Sequence, residues 1–301
     1  MPRLGTVLAR EGSTYRVATT SGLVTAVLGG SAKRGDRERV VVGDQVVLER
    51  PDRHGTARIV GIEPRRNVLT RSTPTGRGAR PVAANLDRVL VLSAVADPDP
   101  VMQLTDRLLV IAEGNHIPPG VVITKIDLAS HADLHRRFRS AGYPVWPVSM
   151  LSGEGIEQLG RVLTDHVTLL TGPSGVGKSS LLNRLQPGLA LRTAEVSARI
   201  GRGKSTTVAA VMVPLDGGGF LVDTPGFSDV GIWGIEPRAL AECFPEMRPL
   251  IGRCRFQDCR HLTEPDCAVR AQVETGRIDL DRYESYCRFL KDLLAAPRHW
   301  E

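Results

Sequence analysis

The residues Gly172-Pro173-Ser174-Gly175-Val176-Gly177-Lys178-Ser179 carry the densest chemical signal in the chain. They match the phosphate-loop pattern G-x-x-x-x-G-K-[ST], whose glycines let backbone N–H groups turn inward around phosphate oxygens. The apolar run Val167 to Leu170 precedes the loop and a helical run from Ser180 to Leu185 follows it, which is the strand-loop-helix setting the motif needs. In that setting the helix N-terminus at Ser180 adds positive potential, Lys178 reaches the β and γ oxygens, and Ser179 ligates Mg²⁺.

A phosphate loop does not select a base, so a second element must. Thr124-Lys125-Ile126-Asp127 follows the strand-like run Val121 to Ile123. A carboxylate at Asp127 accepts both the N1–H and the exocyclic N2 amine of guanine, whereas adenine offers neither donor and leaves it unpaired. Lys125 would lie along the base plane. Thr124 stands where this motif usually has Asn, which alters one base contact. Taken alone, Asp127 also reads as the N-cap of a helix over Leu128 to Phe138. Ser149-Met150 resembles the loop whose backbone amide meets guanine O6, with Met150 in place of the usual Ala.

Asp223-Thr224-Pro225-Gly226 closes the run Phe220 to Val222, placing a carboxylate near Mg²⁺-bound water and a flexible amide at Gly226 to sense the γ-phosphate. Thr206 and Thr207 lie between phosphate loop and Asp223, where a switch threonine would close over Mg²⁺, and either serves as the ligand.

A separate chemistry sits near the C-terminus. Cys254-x4-Cys259-x-His261-x5-Cys267 offers three thiolates and one imidazole, a closed tetrahedral set suited to structural Zn²⁺ and lacking the open position a catalytic zinc needs. Cys243 and Cys287 are left over as core thiols.

These residues need elements to position them. Gly5 to Leu8, Thr14 to Thr19, Leu23 to Leu28, Arg39 to Val42, Gln45 to Glu49 and Ala57 to Ile62 read as short strands separated by turns, hence a small barrel of OB or SH3-like type. Pro74 to Pro81 is rich in Gly and Pro and reads as a mobile, basic connector. From Leu86 onward strand-like runs alternate with helical segments, starting with Val89 to Leu92 and a helix from Val101 to Ile111 stopped by Gly114, so a doubly wound, mostly parallel sheet is expected. Beyond Trp233 the pattern is helical and polar, ending in an amphipathic helix over Asp281 to Leu294. Three modules follow: a barrel over 1–70, an α/β nucleotide domain over 71–232 and a helical metal-binding domain over 233–301.

Composition agrees with a multidomain globular protein. Of the 301 residues 42% are apolar, and no run approaches the ~18 consecutive apolar residues of a membrane span, so a soluble, cytoplasmic protein is expected. The net charge of +6 is regional: positions 1–80 hold 15 basic and 7 acidic residues, and the remainder 24 and 26. That distribution suits a nucleic-acid-facing N-terminal module, although a solvated basic surface would give the same count.

The order of the motifs is the last clue. The base-reading segments come before the phosphate loop, the switch threonines and Asp223, the reverse of an ordinary G-protein, so the nucleotide domain reads as a circular permutant. Permuted motifs between an N-terminal barrel and a C-terminal Cys/His cluster resemble the ribosome small-subunit-dependent GTPase A family (RsgA, also YjeQ). The segments Pro64 to Arg71 and Ala84 to Leu90 share in the likeness. The resemblance implies a GTPase acting late in small-subunit assembly, stimulated by the subunit, with GTP/GDP, Mg²⁺ and one structural Zn²⁺. It also implies the small subunit and its rRNA as partners, no membrane and a monomeric chain.

Two positions depart from what hydrolysis needs. A Gln often orients water after the Asp-x-x-Gly glycine, but here Phe227 follows Gly226, and Ser205 precedes the threonines where the family often has His. Slow intrinsic turnover is expected, with partner binding supplying the alignment. Because Asp223 to Phe227 runs on into the Cys/His segment, nucleotide state is expected to set that module's orientation. Two other readings remain: an rRNA-binding module that uses GTP as a conformational ligand, and a P-loop kinase or ATPase, which Asp127 disfavours.

Overall fold

The computed structural model describes residues 3–29, 40–53, 55–72, 79–188, 210–224, 231–232 and 234–295. Five strands open it: β1 (Arg3–Glu11), β2 (Thr14–Thr19), β3 (Gly22–Leu28), β4 (Gln45–Leu48) and β5 (Thr56–Ile62). They pair in the order β1-β2-β3-β5-β4, and β4 returns to β1 to close the barrel. Strand alternation sends Val7, Tyr15, Val17, Val46, Leu48 and Ile59 into its core. This five-stranded closure is OB-like. The strand expected over Arg39 to Val42 does not form among its described residues, where Val42 makes only an isolated bridge to Ala83. The Val41 N–H is instead taken by the Asp44 carboxylate at 2.8 Å, a local turn that competes with sheet pairing.

A hairpin follows, β6 (Val68–Ser72) with β7 (Ala79–Ala84). The segment expected as a connector thus contributes Ala79, Arg80 and Pro81 to a strand. Pro81 pairs with Thr70 beside a register shift, where a residue without an N–H is tolerated, and the irregularity hides the alternation from the sequence.

The α/β domain runs β8 (Arg88–Ala94), α1 (Met102–Gly114), β9 (Pro119–Thr124), α2 (Ala132–Ser140), β10 (Val145–Pro147), α3 (Ile156–Leu163), β11 (Val167–Thr171), α4 (Lys178–Leu185), β12 (Val211–Pro214) and β13 (Phe220–Asp223). Strands β10-β9-β8-β11-β13 are parallel, and β12 adds antiparallel to β13. Residues of β8 show why the run is continuously apolar: Val89 and Val91 enter one core, Leu90 and Leu92 the core on the other face. Strand β1 also pairs with β12 through Ala9 and Val211, so barrel and α/β strands form one eleven-stranded run. Along β1, Val7 points into the barrel core while Leu8 points into the α/β core.

The C-terminal module holds short 3-10 turns at Leu240–Cys243 and Arg248–Leu250, then α5 (Ala268–Glu274) and α6 (Leu280–Ala295). Phe244, Met247, Val269, Tyr286 and Phe289 form its core together with Val110 of α1. Gly114 is the last residue of α1, and Asn115 caps it. Its lack of a side chain serves packing, because an added methyl would lie 2.4 Å from Ile235 Cδ1. The expected helix start at Leu128 moves to Ala132 with His131 before it, so Asp127 is not its cap. Among the described residues no helix is long and apolar enough to cross a membrane.

Candidate nucleotide site and metal centre

The carboxyl ends of β8, β9, β10, β11 and β13 converge on one edge of the parallel sheet, where ligands bind in folds of this type. Gly172 leaves β11 with a φ of +152°, and a methyl there would lie 2.7 Å from the Leu92 carbonyl oxygen. Gly175 and Gly177 also have left-handed backbones, with φ of +78° and +92°, which L side chains rarely adopt. The chain then enters α4 at Lys178, so Ser179 and Ser180 stand exposed in its first turn. Pro173, Ser174 and Val176 complete the loop, and Val176 is buried beneath it.

Register explains why Asp223 faces this loop. Strand β13 lies beside β11 with Asp223 opposite Leu170, and Lys178 Nζ sits 4.0 Å from Asp223 Oδ1. Lys178 and Asp223 are therefore adjacent even though 45 positions separate them in sequence. Ser205, Thr206, Thr207, Gly226 and Phe227 lie outside the described residues.

The residues expected to read the base converge from two further strands. Asp127 follows β9 and Ser149 follows β10, and Ser149 Oγ donates to Asp127 Oδ1 at 2.5 Å. Ser149 Oγ in turn accepts the N–H groups of Leu151 and Ser152 at 3.2 and 3.1 Å, so a single hydroxyl aims the carboxylate and shapes the Met150 loop. Thr124 is fully buried, and its Oγ1 donates to the Val176 carbonyl at 2.7 Å, a tie to the phosphate loop. Lys125 holds a left-handed φ of +58° and donates through Nζ to the Asp97 carbonyl. Sequence reading missed Asp97 and Pro98, which reach the site from the loop after β8; nothing in their local pattern marks them.

The Cys/His cluster closes as a compact set. His261 Nδ1 lies 3.5 Å from the sulfurs of Cys254 and Cys259 and 3.4 Å from that of Cys267, and Cys254 and Cys267 sulfurs are 3.9 Å apart. Tetrahedral zinc with ordinary Zn–S and Zn–N bonds requires edges of about 3.8 Å between sulfurs and about 3.6 Å from sulfur to nitrogen. The donor set fits that ion. Burial pushes the Cys259 thiol up to about 12 and raises that of Cys267, while it lowers His261, keeping the imidazole neutral as a ligand must be.

Glu264, also missed, organises the loop between two of the ligands. Its carboxylate accepts the N–H groups of Arg260, Leu262 and Thr263 at 2.9, 2.8 and 3.0 Å. Burial alone would raise its pKa, but these backbone donors outweigh that and lower it. The hydroxyls of Tyr283 and Tyr286 on α6 donate to the carbonyls of His261 and Arg260 at 2.7 and 2.8 Å, fixing the loop against the helix.

A glycine-rich loop at a strand end, a carboxylate held by Ser149 on the same edge, a permuted motif order and flanking barrel and Cys/His modules together define a circularly permuted GTPase. A family model described as RsgA GTPase matches residues 62–233. Among similar proteins, the small ribosomal subunit biogenesis GTPase RsgA of Gemmatimonas aurantiaca is 46% identical, with 96% of this chain and 97% of that protein covered. The protein of the same name from Moorella thermoacetica is 40% identical, with 98% of each covered. The crystal structure of YjeQ from Thermotoga maritima superposes with a TM-score of 0.80 at 33% identity, covering 99% of this chain and 100% of that one. YloQ, described as a circularly permuted GTPase, gives 0.76 at 27% identity, covering 99% and 97%. The chain belongs to the RsgA GTPase family and is a GTP-hydrolysing enzyme.

Proposed function

We propose that this GTPase acts in late maturation of the small ribosomal subunit, hydrolysing GTP to GDP and phosphate with stimulation by the subunit. The observation that carries the nucleotide half is the Ser149-held Asp127 carboxylate on the strand-end edge that also bears the phosphate loop. The names of the relatives support the ribosomal half. In this reading residues 172–180 cradle the phosphates, Thr124, Lys125, Asp127, Ser149 and Met150 surround guanine, and Ser179 with Thr206 or Thr207 holds Mg²⁺. Lys178, Asp223 and Gly226 face the γ-phosphate, and Ser205 stands where a water-positioning group is needed. Cys254, Cys259, His261 and Cys267 hold one structural Zn²⁺.

The three modules divide near residues 70 and 232. The basic barrel binds rRNA, joined by Arg253, Arg255 and Arg260 beside the zinc ligands, and the protein works as a cytoplasmic monomer. Phe227 cannot orient water through a side-chain hydrogen bond, so unstimulated turnover is slow. The test is GTP hydrolysis by the purified protein alone, with small subunits and with large subunits, ATP serving as control. Selective stimulation by small subunits supports the reading. Tight GTP binding without stimulation instead favours a nucleotide-gated rRNA-binding module, a second reading that Phe227 keeps in play.

A further inference from the structure

Three consecutive residues of the phosphate loop are each met by a side chain from a different neighbouring loop. A methyl built on Gly175 would lie 3.5 Å from Pro98 Cδ, in the loop after β8. The Val176 carbonyl accepts the Thr124 hydroxyl at 2.7 Å, from the end of β9. A methyl built on Gly177 would lie 3.0 Å from Met150 Cε, in the loop after β10. Two of those three loops carry the residues assigned to guanine. The third is tied to them, because Lys125 Nζ donates to the Asp97 carbonyl.

We propose that Met150 is a positioning residue that braces the phosphate loop against the base-reading loop, so that guanine recognition and β-phosphate binding are one coupled event. This rests on the guanine-nucleotide reading of the pocket. The Met150 side chain carries its terminal methyl over the open face of Gly177, 3.0 Å from where a β-carbon would stand, a reach that a single methyl on alanine lacks. Met150 is half-buried and packs against the apolar cluster that includes Val148, Val176, Leu181 and Leu182, so its side chain lies between the floor of one loop and the turn of the other.

The turn it braces needs bracing. Gly175 and Gly177 carry no side chains and hold left-handed backbones, so without outside contacts they sample many conformations that do not bind phosphate. Removing the brace lowers the fraction of loops in the binding-competent shape, and apparent affinity falls by that fraction. Only ligands that use the Gly175 to Lys178 amides feel the loss, so a nucleoside diphosphate is affected and a monophosphate far less.

The experiment is competition by GDP, GTP and GMP against a fluorescent GDP on the full chain. Met150→Ala is expected to weaken GDP and GTP about tenfold while GMP changes less than twofold. Met150→Leu, which restores reach and volume, is expected to recover most of the loss, and Leu151→Ala on the exposed neighbour to leave binding unchanged. Should Met150→Ala fail to fold, Thr124→Val, which keeps shape and removes the donor, is expected to show the same selective loss, with Thr124→Ser retaining GDP over GMP. Equal losses for GMP and GDP, or no loss in Met150→Ala, overturn the proposal and leave the pocket assignment standing. Failure of the unmutated chain to prefer GDP to ADP removes the guanine reading itself, and the coupling with it.

Discussion

Arg282 on α6 and Asp106 on α1 form an ion pair with neither side chain exposed, Nη1 to Oδ1 at 2.8 Å. Asp106 also accepts Arg137 Nη2 at 3.0 Å and Ser285 Oγ at 2.7 Å, and Arg282 Nε reaches Glu246 at 2.8 Å. The guanidinium lies over the Phe244 ring, 4.8 Å from its centroid. Both carboxylates and both guanidiniums are paired, with Arg137 Nε the one buried donor of the cluster left without a partner, and such pairing is the condition under which buried charge is tolerated. The Cys/His module is therefore fastened to the nucleotide domain through α1 and α2, and the chain after Asp223 is not its sole connection. A module that turned with nucleotide state would have to break this lock or carry α1 with it.

Asp106→Ala takes the shared carboxylate from two buried arginines, leaving Arg282 with Glu246 alone and Arg137 with Asp279 and Asp281. Breaking such a network from one side costs about 3–5 kcal/mol. Urea unfolding of the variant is expected to show a loss of that order, and a change within 1 kcal/mol would mean water reaches the site.

Asp127→Asn tests base recognition. The amide cannot accept two donors as the carboxylate does, so GTP affinity is expected to fall on the order of 100-fold or more. Xanthine carries a carbonyl in place of the N2 amine, and the amide donates to it, so XTP should become the better competitor. Unchanged preference for GTP would place guanine elsewhere.

Glu264→Gln tests the organiser of the metal loop. The lowered pKa means the carboxylate contributes stability above the ordinary glutamate range, and this is lost as pH falls through its folded value. The native protein is expected to lose stability on acidification more steeply than the variant, whose stability at neutral pH starts lower. Parallel pH curves for the two would contradict the assignment.

Metal removal should be strongly pH-dependent. Burial raises the Cys259 and Cys267 thiols, and a thiol must surrender its proton to bind zinc, so affinity rises with pH and zinc uptake releases protons. Chelator competition near pH 6 and pH 8 is expected to show far easier stripping at the lower value. Stripping should also loosen the loop that Tyr283 and Tyr286 hold.

Gly43→Ala tests the junction of barrel and nucleotide domain. Gly43 has a φ of +89°, and an added methyl would lie 2.0 Å from the Ala84 carbonyl oxygen. Asn85 Nδ2 also donates to the Gly43 carbonyl at 2.9 Å. Backbone strain and displacement together are expected to cost roughly 2 kcal/mol or more, read as a lowered thermal midpoint.

Chemistry that depends on residues close together in the chain was legible in the sequence. Gly172 to Ser179 builds its loop from its own glycines, and Cys254 to Cys267 gathers four side chains that could hold a metal within a short segment, so composition and spacing were enough to mark both. Most strands of the barrel and the parallel sheet were readable as well, because burial on one or both faces imposes a pattern on the residues themselves. What only the tertiary structure decided are meetings between residues far apart in sequence. These include Thr124 with Val176, Met150 with Gly177, Asp106 with Arg282, and β1 with β12. Each depends on which strand lies beside which and in what register, and a side chain's local pattern records that it is buried, not what it is buried against. The hairpin of β6 and β7 was lost for a related reason: Pro81 and the irregular register erase the alternation that would have announced it.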